Sequence, residues 1–499
     1  MFKVRLYNTS LMSNNDFNAL MPLLVLAGAS VLVMLLIVAR LSHRLIQLVS
    51  LLLFVIAFIS LLNIRAMLPY QVGSLFMIDS FGAFMIGLII FSGLAVNVFS
   101  YIYFQEKEEG PKEYYVLLFL CTLGACVLAV SNHFVSLFLG LEILTIGLYA
   151  LIAYLRARNH SIEAGIKYLV LAAFSSAFLL FGMALVYLQT GALSFAGMAN
   201  VIGAASVPPL LLTGLGLMLV GLGFKLAVVP FHMWTADVYQ GAPVPVTAFI
   251  ATASKGGVVA SMLRFFAAID GFRSEQLQVV MIVIAIASMV VGNLLALRQS
   301  NIKRVLAYSS IAHLGYLLVA FIPGGDVVPQ AVSFYLLTYF TATFAAFGVI
   351  TILSGAESDA EELVHYRALF WKQPALASIL SVAMFSLAGI PLTAGFTGKF
   401  YVLTTGIGQG FWLLASVLVL SSVVGLYYYL RVVTTMFAGT RDLLPGPPPK
   451  YPVFLGISMV ALFVLTFALI WLGVYPDHAI GVVRDLQLLV TAPATSFAE

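Results

Sequence analysis

Charge is scarce in this 499-residue chain. Asp, Glu, Lys and Arg make up 9% of it, against about 25% in a soluble domain. That shortage, with 62% hydrophobic residues, excludes a soluble globular protein and indicates a polytopic membrane protein almost end to end. Cysteine is nearly absent as well. Cys121 and Cys126 lie in one apolar segment and make no CxxC, no metal framework and no disulfide pattern. They read as small buried hydrophobes. No Gly-rich dinucleotide fingerprint and no P-loop occurs, so any redox cofactor or nucleotide belongs to another polypeptide. The net charge of +4 comes from loop lysines and arginines and is no sign of a nucleic-acid partner. The opening MFKVRLYNTSLMSNNDF lacks the apolar core of a cleavable leader.

What is present is a succession of apolar runs near 20 residues, the length that crosses a bilayer. They fall near 19–39, 45–64, 81–104, 114–131, 134–155, 162–188, 209–232, 244–268, 277–297, 304–323, 329–353, 375–404, 411–436 and 452–474. The expectation is an all-α membrane fold of about fourteen transmembrane helices. The stretch PGPPPKYP cannot be helical and is expected to be a surface loop. Alternate loops hold fifteen of the 24 Lys and Arg residues, among them Arg158, Lys167, Lys303 and Arg304, and the opposite side holds six, including Arg65 and Arg264. The positive-inside rule then places the first set in the cytoplasm and both termini outside, which in a bacterial inner membrane would be the periplasmic side.

An internal repeat lies at an offset of 167 residues. Tyr149 matches Tyr316, Tyr168 matches Tyr335, Ser254 matches Ser421 and Arg264 matches Arg431. Residues 113–270 thus correspond to 280–437, flanked by an N-terminal three-helix segment (1–112) and a last span with its tail (438–499). Each unit has five spans, an odd number, so the two units are inverted, as in many transporters. Gly221, Gly223 and Pro230 interrupt the seventh span. Gly389, Pro391, Gly395 and Gly398 interrupt the twelfth. Both are expected to be discontinuous helices whose freed carbonyls need water or polar partners.

Four charges sit inside apolar runs: Glu142, Lys225, Lys255 and Lys399. A charge at mid-bilayer costs about 2.5–3.5 kcal/mol on the gentlest scale. Low dielectric disfavours the charged form of an amine, and a nearby carboxylate opposes that effect. A movable carboxylate therefore switches an amine between holding and releasing a proton. Glu142, the one acid read as deep in a span, is the expected partner of Lys225. Lys255 and Lys399 would be successive relay stations, with Lys399 expected at the place in the second unit equivalent to the first break. His232, His313, Glu163 and Tyr308 are supporting candidates, and Ser254, Thr252, Thr338, Thr341, Tyr401 and Tyr428 could hold water. The plain alternatives are an ion pair for Glu142 and Lys225, snorkelling for Lys399, and helix packing around Gly256 and Gly257 for Lys255. Glu163 and Lys167 have the spacing of an ordinary helix pair, and Asp237 reads as structural.

The run GLGFKLAVVPFHMWTADVYQGAPVPVTAFIATASK (221–255) is highly specific, and SLFLGLEI, SNIKRVLAYSSIAHLGYLLVA and SLAGIPLTAGFTGKFYVL agree with it. The chain resembles the antiporter-like, proton-translocating membrane subunits of respiratory complex I, the bacterial NADH–quinone oxidoreductase, along its whole length. The resemblance implies the fourteen-helix fold with two inverted five-helix units. It also implies Glu142 and Lys225 as a modulating pair, Lys255 as central relay and Lys399 as terminal station. Within the family it is similar to the subunit N branch, because Lys255 stands where the other branches tend to carry histidine. That branch implies membrane neighbours of the M and K type, with FMN, iron–sulfur clusters and quinone in partner subunits and no redox centre in this chain. WTADVYQ departs from the family's WTPDVYQ at Ala236, which leaves the loop's shape open, and the chain ends soon after its last span, without a long lateral helix. A subunit of a multi-subunit cation/proton antiporter is the alternative.

Overall fold

The computed structural model describes residues 13–107, 111–202, 208–271, 274–355, 358–439 and 452–489. The first 12 residues, most of PGPPPKYP and the tail TAPATSFAE lie outside the described residues. Those described form an all-helical membrane fold, relieved by one antiparallel hairpin, Tyr70–Val72 with Phe76–Ile78. Among them, twelve helices are long and apolar enough to cross a bilayer. Glu113–Ala129 and Pro374–Ala388 are shorter apolar helices at two further places where spans were expected.

Burial separates two kinds of span. Val244–Ala268 is fully buried over its apolar window, and Ile302–Phe321 and Val328–Leu353 are 89% and 83% buried. Asn159–Thr190 is only 33% buried and turns Phe174, Phe181 and Leu188 outward. Outward apolar side chains cost nothing against lipid, where helix association relies on close packing instead. Small residues supply that closeness. Gly124 meets the backbone of Gly140 and Leu144, and Gly292 meets that of Tyr308 and Ala312. A methyl group at either would force the helices apart.

Packing recurs along the chain. Glu113–Ala129 lies on Phe134–Ile152, as Glu275–Leu297 lies on Ile302–Phe321. Asn159–Thr190 contacts both Pro209–Leu226 and Thr235–Gly241, as Val328–Leu353 contacts both Pro374–Ala388 and Ala394–Gly408. One expectation needs correcting. At the 167-residue offset Lys399 stands opposite His232, and Lys225 opposite Leu392. Lys225 ends the half-helix before its break, whereas Lys399 lies inside the half-helix after its own.

Two cations counted as loop charges are in fact interior. Arg264 and Asp79 are both fully buried and form a two-pronged ion pair, Nη1–Oδ2 at 2.7 Å and Nη2–Oδ1 at 2.9 Å. Lys303, also fully buried, reaches Asp359 at 3.1 Å and the carbonyls of Gln240 and Ala242 at 2.7 Å. Asp359 further accepts from Tyr103 at 2.9 Å and Arg158 at 3.1 Å. Asp79 and Asp359 are thus buried acids outside the spans, whereas Glu142 lies within one. Both were missed because Asp79 lies at the edge of an apolar run and Asp359 in a polar loop, where a carboxylate looks solvated.

Candidate functional site

The site is built on the two helix breaks. Pro209–Leu226 ends one residue beyond Lys225, and Ala227 takes a left-handed conformation with φ of 61°. The carbonyls freed there are taken up locally: Gly223 accepts from the Val228 amide at 3.1 Å, and Phe224 accepts from the Ala227 amide and the Trp234 indole, both at 3.0 Å. The chain resumes as Thr235–Gly241 with Ala236 buried in its first turn. The helix thus starts without the proline usual there, since alanine is itself a strong helix former.

The second break is resolved differently. Pro374–Ala388 stops at Gly389, with φ of 84°, and helix resumes at Ala394. The carbonyls of Leu387 and Ala388 accept from Lys399 Nζ at 2.9 and 2.8 Å. The lysine itself caps the interrupted helix, meeting the need of unpaired carbonyls at a helix end. Gly395 passes so close that a Cβ would overlap the Ser386 carbonyl. Gly395→Ala is accordingly expected to open this break and lower activity by about tenfold or more, since a misplaced reacting group costs that much and beyond. Turnover of the assembled complex checks it, with Gly408, exposed, uncrowded and without a positive φ, as a control position.

Each lysine has a distinct set of partners. Lys225, 5% exposed, donates to Thr145 Oγ1 at 2.7 Å, with the rings of Tyr168 and Phe224 at 5.6 and 5.7 Å. Glu142 is half-buried and accepts from Ser176 Oγ at 2.7 Å. Among the described residues no ion pair joins Glu142 to Lys225. The expected pair is instead indirect: Lys225 is held by Thr145, one turn along the same helix from Glu142. In this looser arrangement the carboxylate can move without breaking a bond to the lysine, at the expense of its bond to Ser176.

Lys255, 1% exposed, follows a π-helical turn, Ile250–Ser254. Such turns are rare and gather at functional sites. Its Nζ donates to Ser310 Oγ at 2.5 Å, and the same oxygen meets the hydroxyls of Tyr339 at 2.7 Å and Tyr239 at 3.3 Å. A serine oxygen accepts at most two hydrogen bonds and donates one. With an ammonium always donating, one tyrosine must accept from Ser310. The hub therefore has alternative proton arrangements of similar geometry, which a proton relay requires.

One turn beyond Ser310, buried His313 lies 2.7 Å from the Tyr335 hydroxyl through Nδ1 and 3.1 Å from that of Tyr429 through Nε2. Tyr429 in turn bonds Ser309. A cavity of about 10 Å³, lined among others by His313, Tyr335, Thr338 and Ser386, has room for about one water centre. It lies between the histidine and the second break. Lys399, 7% exposed, completes the series with Ser422 Oγ at 2.9 Å and the Tyr316 ring at 5.0 Å.

The structure does not bring every candidate to these lysine clusters. His232 is half-buried in the turn after the first break, its Nδ1 without a hydrogen-bond partner among the described residues. Tyr308 is half-buried about 200° around its helix from Ser310. Glu163 joins Lys167 at 2.7 Å, which joins Asp237 at 2.8 Å, itself paired with Arg304 at 2.8 Å. Burial alone would raise Asp237, but the hydrogen bonds from Lys167 and Arg304 outweigh it and hold the carboxyl below its usual range. This half-exposed cluster ties three helices together. Thr252 and Thr341 bond carbonyls of their own helices, Tyr401 meets Gln330 at 3.4 Å and Tyr428 meets Asn293 at 3.0 Å. Ser254 is buried within the π turn.

Sequence reasoning missed Thr145, Ser176, Tyr239, Ser310, Tyr335, Tyr339, Ser422 and Tyr429. A signal existed in part: Tyr335 and Tyr339 share a helix face, as do Ser310 and His313, at the spacing of helical neighbours.

A family model described as NADH:quinone oxidoreductase/Mrp antiporter, TM, matches residues 131–425. The chain belongs to this family. Solved relatives agree with the assignment. A chain of respiratory complex I from Thermus thermophilus is 34% identical, with 94% of this chain and 100% of that one covered and a TM-score of 0.79. A chain of the membrane-bound sulfane sulfur reductase, an archaeal respiratory membrane complex, is 25% identical over 94% of this chain and 96% of that one, with a TM-score of 0.79. A chain of the Mrp complex from Dietzia sp. DQ12-45-1b, 22% identical, shares the fold over 95% of this chain and 97% of that one, with a TM-score of 0.82. The protein is thus an antiporter-like, multi-pass member of a family whose solved relatives sit in multi-subunit membrane complexes.

Proposed function

We propose that this chain is a proton-translocating membrane subunit of a NADH–quinone oxidoreductase, of the subunit N type. Protons pass from the Glu142–Thr145–Lys225 region to Lys255 and its hydroxyl hub, then by His313 to Lys399. The observation that carries this reading is the company the lysines keep. Lys225, Lys255 and Lys399 are all buried and held by hydroxyls or carbonyls at 2.5–2.9 Å, and none pairs with a carboxylate among the described residues. An ammonium held by neutral groups can give up its proton without stranding a buried anion.

The free energy comes from elsewhere, because one charge crossing the membrane costs about 2.3 kcal/mol per 100 mV. FMN, iron–sulfur clusters and quinone belong to partner subunits, and the M- and K-type membrane subunits are the expected neighbours. The chain takes part in a translocase without holding its redox centre. The matching helix contacts at the 167-residue offset support two five-helix units, 113–270 and 280–437, inverted with respect to each other. The loop charges support termini on the periplasmic side.

The test uses the intact complex in sealed vesicles. NADH-driven acidification is expected to proceed unchanged when sodium is replaced by choline. A strict sodium requirement would favour the cation/proton antiporter reading. Glu142→Gln is expected to slow turnover by about tenfold, the effect of one unit of proton affinity at its neighbour, and to alter the pH–rate profile. An unaltered rate and profile would remove Glu142 from the mechanism.

A further inference from the structure

A cavity of about 950 Å³, lined by none of the three lysines, opens on the membrane side of the molecule between His43–Asn63, Ser80–Lys107, Val328–Leu353 and Pro452–Val474. Its depth is apolar, with Phe84, Leu88 and Phe91 on one wall and Val464 and Ala468 on another. Apart from Thr341, its polar residues gather at one end: Arg65, Ser80, His478 and Asp485.

Length and position identify the occupant's class. From Ser80 to Phe91 the helix rises about 16 Å at about 1.5 Å per residue. Half the hydrocarbon core of a bilayer is about 15 Å. The cavity is therefore one leaflet deep, with its polar mouth at headgroup level. Trp471 and Tyr475, partly exposed beside that mouth, and the short helix Asp477–Arg484 are the residues and element that mark a membrane interface. Ser80 Oγ accepts from the Gln487 amide at 2.7 Å, so the chain's last described segment holds the mouth in shape.

Charge narrows the class further. Arg65 and Asp485 both line the mouth, yet among the described residues no ion pair joins them to each other or to another group. A cation and an anion left apart on one rim match a headgroup that carries both signs. We propose that this cavity binds a phospholipid with an amine headgroup, its phosphate at Arg65, its ammonium at Asp485 and an acyl chain along Phe84–Phe91. The acyl chain would lie against Leu337 and Thr341, on the reverse face of the helix that presents Tyr335 and Tyr339 to His313 and Ser310. The lipid site stands whether or not the proton path does.

The experiment places the purified complex in nanodiscs with trace phosphatidylethanolamine carrying a photoreactive group on its acyl chain, and maps the labelled peptides. Label is expected on segments 84–91 and 464–472. Unlabelled phosphatidylethanolamine should displace it more readily than phosphatidylglycerol. Arg65→Glu, at an exposed position, and Ala468→Trp, which fills the cavity, should each reduce it by about tenfold, the worth of one charge-assisted contact. If Ala468→Trp does not assemble, Arg65→Glu decides. Label spread evenly over outward helices such as Asn159–Thr190 and indifferent to both substitutions would overturn the site. So would label found only after removal of residues 490–499, or a neighbouring subunit cross-linked into the cavity in place of lipid. Equal displacement by phosphatidylglycerol would overturn the amine headgroup.

Discussion

In the assembled complex, Lys225→Ala is expected to slow proton transfer through this chain by about 10²-fold while assembly is retained. The magnitude follows from the environment. Lys225 is the buried amine between Thr145 and the aromatic pair Tyr168 and Phe224. Without it, a proton would cross the same gap on water, in a site where a charge costs about 2.5–3.5 kcal/mol on the gentlest scale. Each 1.36 kcal/mol of barrier is about a factor of ten in rate. The comparison that separates a relay from a structural cation is Lys225→Arg. Guanidinium keeps the positive charge but does not give up its proton in proteins. A structural role would be restored by arginine, whereas a relay would stay as slow as in the alanine variant. Proton translocation per electron in sealed vesicles is the measurement, and an unchanged ratio in both variants would remove Lys225 from the path.

The second large effect concerns stability. Asp79→Asn is expected to destabilise the subunit by about 3–5 kcal/mol, the cost of breaking a buried pair and leaving one charge uncompensated. Against a typical total of about 5–15 kcal/mol, that loss should strip most of the assembled complex from the membrane. Arg264 is fully buried, and its partners are the Asp79 carboxylate and the Leu489 carbonyl. Asp79 also accepts from the amides of Gly82 and Leu489 at 2.7 Å. It therefore caps the Ser80–Lys107 helix and binds the segment at Leu489 to it. Arg264→Met alone strands the carboxylate and should be comparably damaging. Asp79→Leu combined with Arg264→Met removes both charges and should recover much of the loss, less the helix cap, worth about 1 kcal/mol. Recovered complex and its thermal midpoint measure the outcome. A double variant no better than the singles would mean that the backbone bonds, rather than charge compensation, sustain this clasp.

Lys225, Lys255 and Lys399 were legible because a charge inside an apolar run is anomalous whatever surrounds it. The breaks were legible because proline and left-handed glycine act on the backbone locally. Ser310 was not legible, since a serine on a helix has many uses and its role at the hub is set by Lys255, Tyr239 and Tyr339 arriving from three other elements. Asp79 and Arg264 were passed over because 185 residues separate them and each, alone, resembles a charge at a membrane surface.

The sequence by itself determined the membrane class, the interrupted helices and the identity of the buried amines, because hydropathy and backbone restriction are properties of short segments. Only the tertiary structure decided which hydroxyls those amines touch, that Lys225 bonds Thr145 rather than Glu142, and that Lys399 closes its own helix break. Hydrogen-bond partners must converge within about 3 Å, and no local pattern specifies how distant segments meet at that scale.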